Sequence, residues 1–281
     1  MNNFDLLSFK CPICHSQMSI KDKNTLCCNG ERIHTYDLSS SGYVNLASPK
    51  QSGGGDTKDA VRARTSFLEL GFYENIAIKA VEILKEYLPV GAKVVDAGCG
   101  EGYYTLKIAE QGFFTVGFDI SKMAVEAAAK RAKRKADLNT AFAVASVFEL
   151  PIFDSSVDAV VNIFAPCVEE EYSRVLSSGG IVLVVHAGKD HLMGLKKVLY
   201  ESTYENDERA DLPKNMNLIY EDELKYTISV SGNQNVKNLF AMTPYYWRTS
   251  QQDAKKLENI EELNTEIDII FSVFKKETDG R

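Results

Sequence analysis

The stretch Val94-Val95-Asp96-Ala97-Gly98-Cys99-Gly100-Glu101-Gly102 runs from an apolar strand into a glycine-rich turn flanked by acids. Glycine lets backbone approach a ligand closely. In doubly wound α/β sheets the turn after such a strand is where adenosine cofactors bind. A dinucleotide fingerprint needs the spacing G-x-G-x-x-G and a helix N-terminus open to pyrophosphate. Here the third glycine comes one position early, at Gly102, and Tyr103 fills the expected slot. Asp96 and Glu101 would repel a pyrophosphate, yet they suit the cationic sulfonium and ammonium of S-adenosylmethionine. With Gly98 and Gly100, the turn reads as a site for that cofactor.

Strands and helices alternate around this turn. The pattern predicts strands over 93–98, 115–120, 140–146, 157–164 and 181–186, and helices over 102–111, 122–135, 168–176 and 190–204. Two further strands are expected, at 224–230 and 267–275. Such alternation implies a mainly parallel, Rossmann-like sheet with helices on both faces. The second strand ends Gly117-Phe118-Asp119, which places a carboxylate where both ribose hydroxyls of an adenosine would be held. The competing role for Asp119 is to cap the following helix. The third strand ends at Ser146, near the expected adenine contacts, where a cap plus core packing would explain the same residues.

The 281-residue chain is 44% hydrophobic and 25% charged, enough for one large core and a small accessory unit. It has no apolar run of membrane-spanning length and a short, mixed stretch from Met1 to Lys10, so neither a membrane protein nor a secreted one is expected. Its net charge of −7 argues on its face against nucleic acid, but the acidity is concentrated after residue 200 while residues 1–64 are slightly basic.

Residues 1–48 read as a separate unit rich in Cys, Ser and Asn, followed by a linker or mobile loop over 49–64 and a cofactor domain over 65–281. Within the first unit, Cys11-Pro12-Ile13-Cys14, Cys28 and His34 have the spacing C-x2-C-x13-C-x5-H. Three thiolates and an imidazole suit a tetrahedral zinc ion, and a unit this small needs such a staple to fold. Four protein ligands make the site structural, with one zinc per chain. Buried or redox cysteines are the alternative, favoured by a reducing cytoplasm over a disulfide framework. Cys27 could replace Cys28, and His15 could replace His34.

Taken together, these residues resemble the bacterial 23S rRNA (guanine-N1) methyltransferases of the RlmA type over nearly the whole chain. The resemblance is carried by the cysteine unit with Gly42-Tyr43-Val44-Asn45-Leu46, by Arg62-Ala63-Arg64 through Gly71-Phe72-Tyr73, and by Gly98 to Thr105. Phe164-Ala165-Pro166-Cys167, His191-Leu192-Met193 and Thr243-Pro244-Tyr245-Tyr246-Trp247-Arg248 complete it. The interval between the third cysteine and the histidine is longer than is usual in the family. The resemblance implies a class I methyltransferase sheet fused to an N-terminal zinc-binding, RNA-recognising domain. It also implies a homodimer with an RNA cleft, and cofactor contacts from Tyr73, Gly100, Glu101 and His191; the six cysteines without an export signal point to a reducing, cytoplasmic setting.

Guanine N1 must lose its proton for or during attack on the methyl group, yet no residue announces itself as the base. Asn162, after the fourth strand, could hold a base edge or satisfy backbone groups. Phe164, Tyr245, Tyr246 and Trp247 are candidate stacking surfaces, with core packing expected for Trp247. The basic run Lys130–Lys135 reads as a solvated helix end, whereas Arg62 and Arg64 are expected to form a mobile basic edge that meets RNA phosphate. The alternatives to an rRNA enzyme are a small-molecule methyltransferase with a zinc accessory unit and a non-catalytic, zinc-stabilised RNA-binding assembly factor.

Overall fold

The computed structural model describes residues 4, 7–22, 24–48, 55–135, 138–203, 205–206 and 212–276. The glycine run at 53–54 within the expected loop, and residue 204 at the end of an expected helix, lie outside them. Strands β1 (Met18–Asp22), β2 (Thr25–Cys28) and β3 (Thr35–Asp37) form a three-stranded antiparallel sheet. The next strand, β4 (Val44–Asn45), leaves that unit and pairs in parallel with β7 (Thr140–Val144) of the main sheet. The N-terminal unit is thus stitched into the sheet edge by backbone hydrogen bonds.

The main sheet also contains β5 (Lys93–Ala97), β6 (Phe114–Asp119), β8 (Val157–Ile163), β9 (Leu176–Ala187), β10 (Asn217–Ser231) and β11 (Glu262–Lys275). Its order is β10-β11-β9-β8-β5-β6-β7-β4. The strands from β4 through β9 run parallel, and β11 and β10 are added antiparallel at the far edge. The chain starts at β5, winds outward through β6 and β7, then returns to the other side of β5 with β8. This reversal opens a crevice at the C-terminal ends of β5 and β8, where ligands bind in such sheets.

Residues alternate between the two faces of each strand, so the sheet carries two cores. Val94, Val161 and Val185 pack with α1 (Lys58–Leu68), α2 (Glu74–Tyr87), α6 (Met193–Leu199) and α7 (Asn233–Ala241). Val95, Ala97, Phe118 and Val160 face the other way, against α5 (Glu169–Val175) and against Phe9, Met18 and Leu26 of the N-terminal unit. Helices α3 (Tyr103–Ala109) and α4 (Lys122–Lys133) cover the remaining edge through Leu106, Val125 and Ala128 on Phe142.

Three local differences from the sequence pattern matter. Helix α1 starts at Lys58, capped by Thr57 Oγ1 on Ala60 N at 3.3 Å, so much of the expected linker is helix. Helix α6 ends at Leu199, and Tyr200 leaves it in an extended conformation. Strands β10 and β11 are far longer than their apolar centres, because they pair with each other from Asn217–Lys275 to Ser231–Glu262.

The turn after β5 depends on left-handed backbone, with φ of 84° at Gly98, 54° at Gly100 and 75° at Gly102. A Cβ on Gly102 would also lie 2.8 Å from Ala128 Cβ and 3.1 Å from the Phe142 ring. Gly102→Ala is therefore expected to cost about 2 kcal/mol or more. Gly42→Ala, with φ of 96° and open space around it, carries only the backbone penalty of roughly 1–2 kcal/mol. Urea unfolding of the two variants checks the ordering, and equal midpoints would refute it.

Candidate active site and metal centre

The metal-ligating atoms of Cys11, Cys14, Cys28 and His34 all lie within 4.8 Å of one another. Cys14 Sγ is 3.6 Å from Cys28 Sγ, and His34 Nδ1 is 3.6 Å from Cys11 Sγ and 3.5 Å from Cys28 Sγ. A tetrahedral ion with Zn–S near 2.3 Å and Zn–N near 2.0–2.1 Å would have edges of about 3.8 Å between sulfurs and about 3.6 Å between sulfur and nitrogen. The four donors fit zinc. Burial raises the Cys11 thiol pKa, whereas Cys14 is drawn down to about 6, chiefly by the Ser16 backbone N–H. Cys27 precedes Cys28 on β2, and neighbouring strand residues face opposite ways. That alternation, with the β1–β2 register, puts Cys28 in the cluster and leaves Cys27 outside it. His15 is outside it too.

At the glycine turn, Asp119 accepts Gly100 N at 3.0 Å on Oδ2 and Ser121 N at 2.7 Å on Oδ1. Ser121 itself caps α4, accepting from Ala124 N at 3.3 Å. Each Asp119 oxygen keeps a lone pair for a further donor, so the carboxylate can take two hydroxyls while holding the turn. Asp96 is buried and accepts from Thr105 Oγ1 at 2.5 Å. Glu101 is buried as well, and Arg64 Nε donates to it at 2.5 Å. Ser146, after β7, accepts from Phe148 N at 3.2 Å in a tight turn.

Tyr73, Phe164 and His191 converge on the crevice beside β8. Tyr73 Oη is 3.3 Å from His191 Nε2, and Phe164 stacks on His191 with 6.1 Å between centroids and 15° between planes. Asp268 N donates to His191 Nδ1 at 3.4 Å, so the ring hydrogen sits on Nε2 and is donated to Tyr73. Phe164 and Leu192 both hold left-handed φ, 56° and 58°, which is uncommon for such residues and clusters at functional sites. Tyr73 and His191 are buried, whereas Phe164 is 44% exposed and forms the open wall.

The structure decides one open reading and changes two others. Asn162 directs its amide nitrogen to Pro166 O at 2.9 Å and Tyr172 Oη at 2.8 Å, the backbone-satisfying role. Trp247, expected in the core, is 65% exposed, while Tyr245 is buried. Arg62 is exposed on α1, but Arg64 turns inward, with Nη1 on Asp56 Oδ2 at 2.5 Å as well as Nε on Glu101. Sequence reasoning missed Asp56 and Thr105, since nothing in their local pattern marks an active-site partner.

A model described as "Methyltransferase domain" matches residues 88–243, more than half the chain, and one described as "RlmA, N-terminal", a zinc ribbon, matches residues 9–52. The 23S rRNA (guanine(748)-N(1))-methyltransferase of Streptomyces fradiae is 34% identical over 195 residues, 68% of this chain and 67% of that protein. YxjB of Bacillus subtilis is 28% identical over 94% of this chain and 96% of its own length. Among solved structures, the YcgJ protein of Bacillus subtilis superposes with a TM-score of 0.52 at 18% identity, covering 73% of this chain and 99% of that one. That last likeness bears on the fold alone. The chain belongs to the 23S rRNA (guanine-N1)-methyltransferase family. As a member it depends on S-adenosylmethionine as methyl donor and carries a zinc ribbon.

Burial dominates the charge state of this family member's crevice. It lowers the His191 pKa to about 3, with the Lys196 charge adding to the effect, so the imidazole is neutral at physiological pH. It raises Asp96 from 3.8 to about 7, against the Thr105 hydrogen bond. It raises Asp119 too, against the two backbone N–H groups.

Two outcomes follow from this geometry. Cys28→Ser should strip the ion, taking zinc by elemental analysis from about one per chain to near zero, whereas Cys27→Ser should keep it; the reverse result would move the ligand to Cys27. For Asp96, the folded carboxyl binds its proton more tightly than the unfolded one. Its contribution to stability is therefore complete below about pH 4 and is lost as pH rises to about 7, at up to about 1.4 kcal/mol per pH unit. Asp96→Asn should become progressively more stable relative to wild type across that window. A difference independent of pH would show that Asp96 ionises normally.

Proposed function

We propose that this chain methylates N1 of a specific guanine in a stem-loop of 23S rRNA. The observation that carries the reading is the joining, in one chain, of the zinc ribbon and the methyltransferase sheet, beside 34% identity to the Streptomyces fradiae enzyme over 68% of the chain. S-adenosylmethionine supplies an electrophilic methyl group when bound. Asp119, with both oxygens open to a further donor, would hold the ribose diol. Gly98 and Gly100 would let the backbone lie against the cofactor, Asp96 and Glu101 would answer its amino-acid end, and Ser146 would meet the adenine. Tyr73 and His191 would wall the methyl group, and a neutral imidazole there would not repel a sulfonium.

The target guanine has to leave its stack, or already be unpaired, to reach the crevice. Phe164, exposed at the mouth, offers the stacking face. His191 has both ring nitrogens engaged and a pKa near 3, so it is no base for N1; the proton leaves to water through the open side. Phosphate contact falls to Arg62, exposed on α1. The same reading has the chain working as a homodimer in the cytoplasm. No helix among the described residues is long and apolar enough to cross a membrane.

An N1 methyl blocks Watson–Crick pairing and stops reverse transcriptase, so primer extension is the direct test. Ribosomal RNA from cells lacking the protein should lose one stop at a guanine, restored by the wild-type chain. Arg62→Glu should weaken stem-loop binding while sparing the cofactor. Unchanged stops in the deletion strain would defeat the reading, and methyl incorporation into RNA without a stop would move the chemistry away from N1.

A further inference from the structure

The one guanidinium that the structure ion-pairs to the glycine turn, among the described residues, is Arg64. It lies against Gly100, where a Cβ would meet Nη2 at 3.1 Å and Cζ and Nε at 3.5 Å. Glycine at position 100 thus makes room for this side chain as well as for a ligand. Nε is engaged by Glu101 and Nη1 by Asp56, each at 2.5 Å. Of its five N–H donors, those of Nη2 make no hydrogen bond to the protein among the described residues. The side chain is 22% exposed, and Nη2 lies beside Gly100 with its donors open to a ligand at the turn.

The position is built from both sides. Ser121 Oγ donates to Asp56 O at 2.9 Å, and a Cβ on Gly55 would clash with Ser121. Residues 55–57 therefore cross the mouth of the turn and hold the Asp56 carboxylate over the guanidinium. Burial alone would lower the Arg64 pKa, but Glu101 and Asp56 together outweigh it and raise it, so the charge is permanent.

Charge matching identifies what the free edge is for. Among the described residues, Asp56, Asp96, Glu101 and Asp119 surround the turn, and Arg64 is the cation ion-paired there. The amino-acid end of the cofactor carries an ammonium and a carboxylate beside the sulfonium. Acids answer the two cationic groups, and the carboxylate needs a charged donor, which the N–H groups of Nη2 supply. We propose that Arg64 is a cofactor-binding residue that holds the α-carboxylate of S-adenosylmethionine through its Nη2 edge, and is not a phosphate contact for RNA. This rests on the cofactor site assigned above.

The test compares S-adenosylhomocysteine with its decarboxylated analogue, which keeps the adenosine, the thioether and the amine, by titration calorimetry on the full chain. Wild type should bind S-adenosylhomocysteine about ten- to a hundredfold more tightly than the analogue, the range for a charge-assisted hydrogen bond. Arg64→Gln should lose most of that preference by weakening S-adenosylhomocysteine alone, and Arg64→Lys, which keeps a charge without the Nη2 donors, should fall between. Equal weakening of both ligands in Arg64→Gln would reduce Arg64 to a clamp on residues 55–57 and overturn the proposal. So would an unchanged preference. Failure of wild type to bind either ligand would instead defeat the cofactor site itself. Arg64→Gln should also leave stem-loop affinity without cofactor within twofold of wild type, and a larger loss there would return Arg64 to the RNA interface.

Discussion

Asp119 holds the site together with two backbone hydrogen bonds. One oxygen takes Gly100 N from the turn after β5, the other takes Ser121 N at the start of α4. Two loops that follow neighbouring parallel strands are thereby fixed to each other at the C-terminal edge of the sheet. The left-handed glycines can adopt this course without a Cβ penalty, but permissive backbone is floppy until something chooses one conformation. A half-buried carboxylate makes that choice, because leaving a buried N–H unpaired would cost about 1–3 kcal/mol. Ser121 then passes the order outward, since its hydroxyl both caps α4 and carries Asp56 O.

The zinc ribbon is bound to the same framework more tightly than a tethered accessory unit would be. Phe9 is fully buried between Phe4 and Phe118, with ring centroids 5.5 Å and 6.2 Å apart. Phe118 immediately precedes Asp119 and points to the opposite face of β6. The ribbon packs against the underside of the strand whose end organises the turn. A ribbon that lost its ion would expose Phe9, Met18 and Leu26 and unsettle β6 from below, so metal binding and order at the crevice share one hydrophobic core.

The parallel strands were legible because β5 to β9 are short apolar runs between glycines and helical patterns, and their burial comes from the local sequence. β4 was not legible. Two residues carry no periodic signal, and their strand exists only because β7 presents an open edge. The ends of β10 were hidden for a related reason, as an edge strand exposed along much of its length reads as polar loop. The choice between Cys27 and Cys28 depended on the β1–β2 register, which spacing cannot supply. Arg62 and Arg64 carried a signal that was present and unused. Residues two apart on a helix point to nearly opposite sides, so both could not serve one RNA edge once 58–68 was helix. Trp247 shows the limit of residue type, since a lone aromatic's burial is decided by whatever tertiary neighbours reach it.

The acids at the crevice are less charged than their number suggests, and this governs what the site can hold. Asp96 titrates near 7 because burial outweighs the Thr105 hydrogen bond, so at neutral pH it is only partly ionised. Glu101 is neutralised by Arg64, which also takes Asp56. Without a ligand the turn can therefore remain closed and buried without holding four uncompensated carboxylates. A cation arriving beside Asp96 shifts its proton off and strengthens the attraction as it binds. A neutral ligand of the same shape gains nothing from that response. The wall opposite, His191 kept neutral by burial against Tyr73 and Phe164, adds no positive charge to oppose it. On the proposed cofactor site, discrimination for a sulfonium over the thioether left after methyl transfer would follow from burial: the same desolvation that raises Asp96 and lowers His191 would make the site respond to charge.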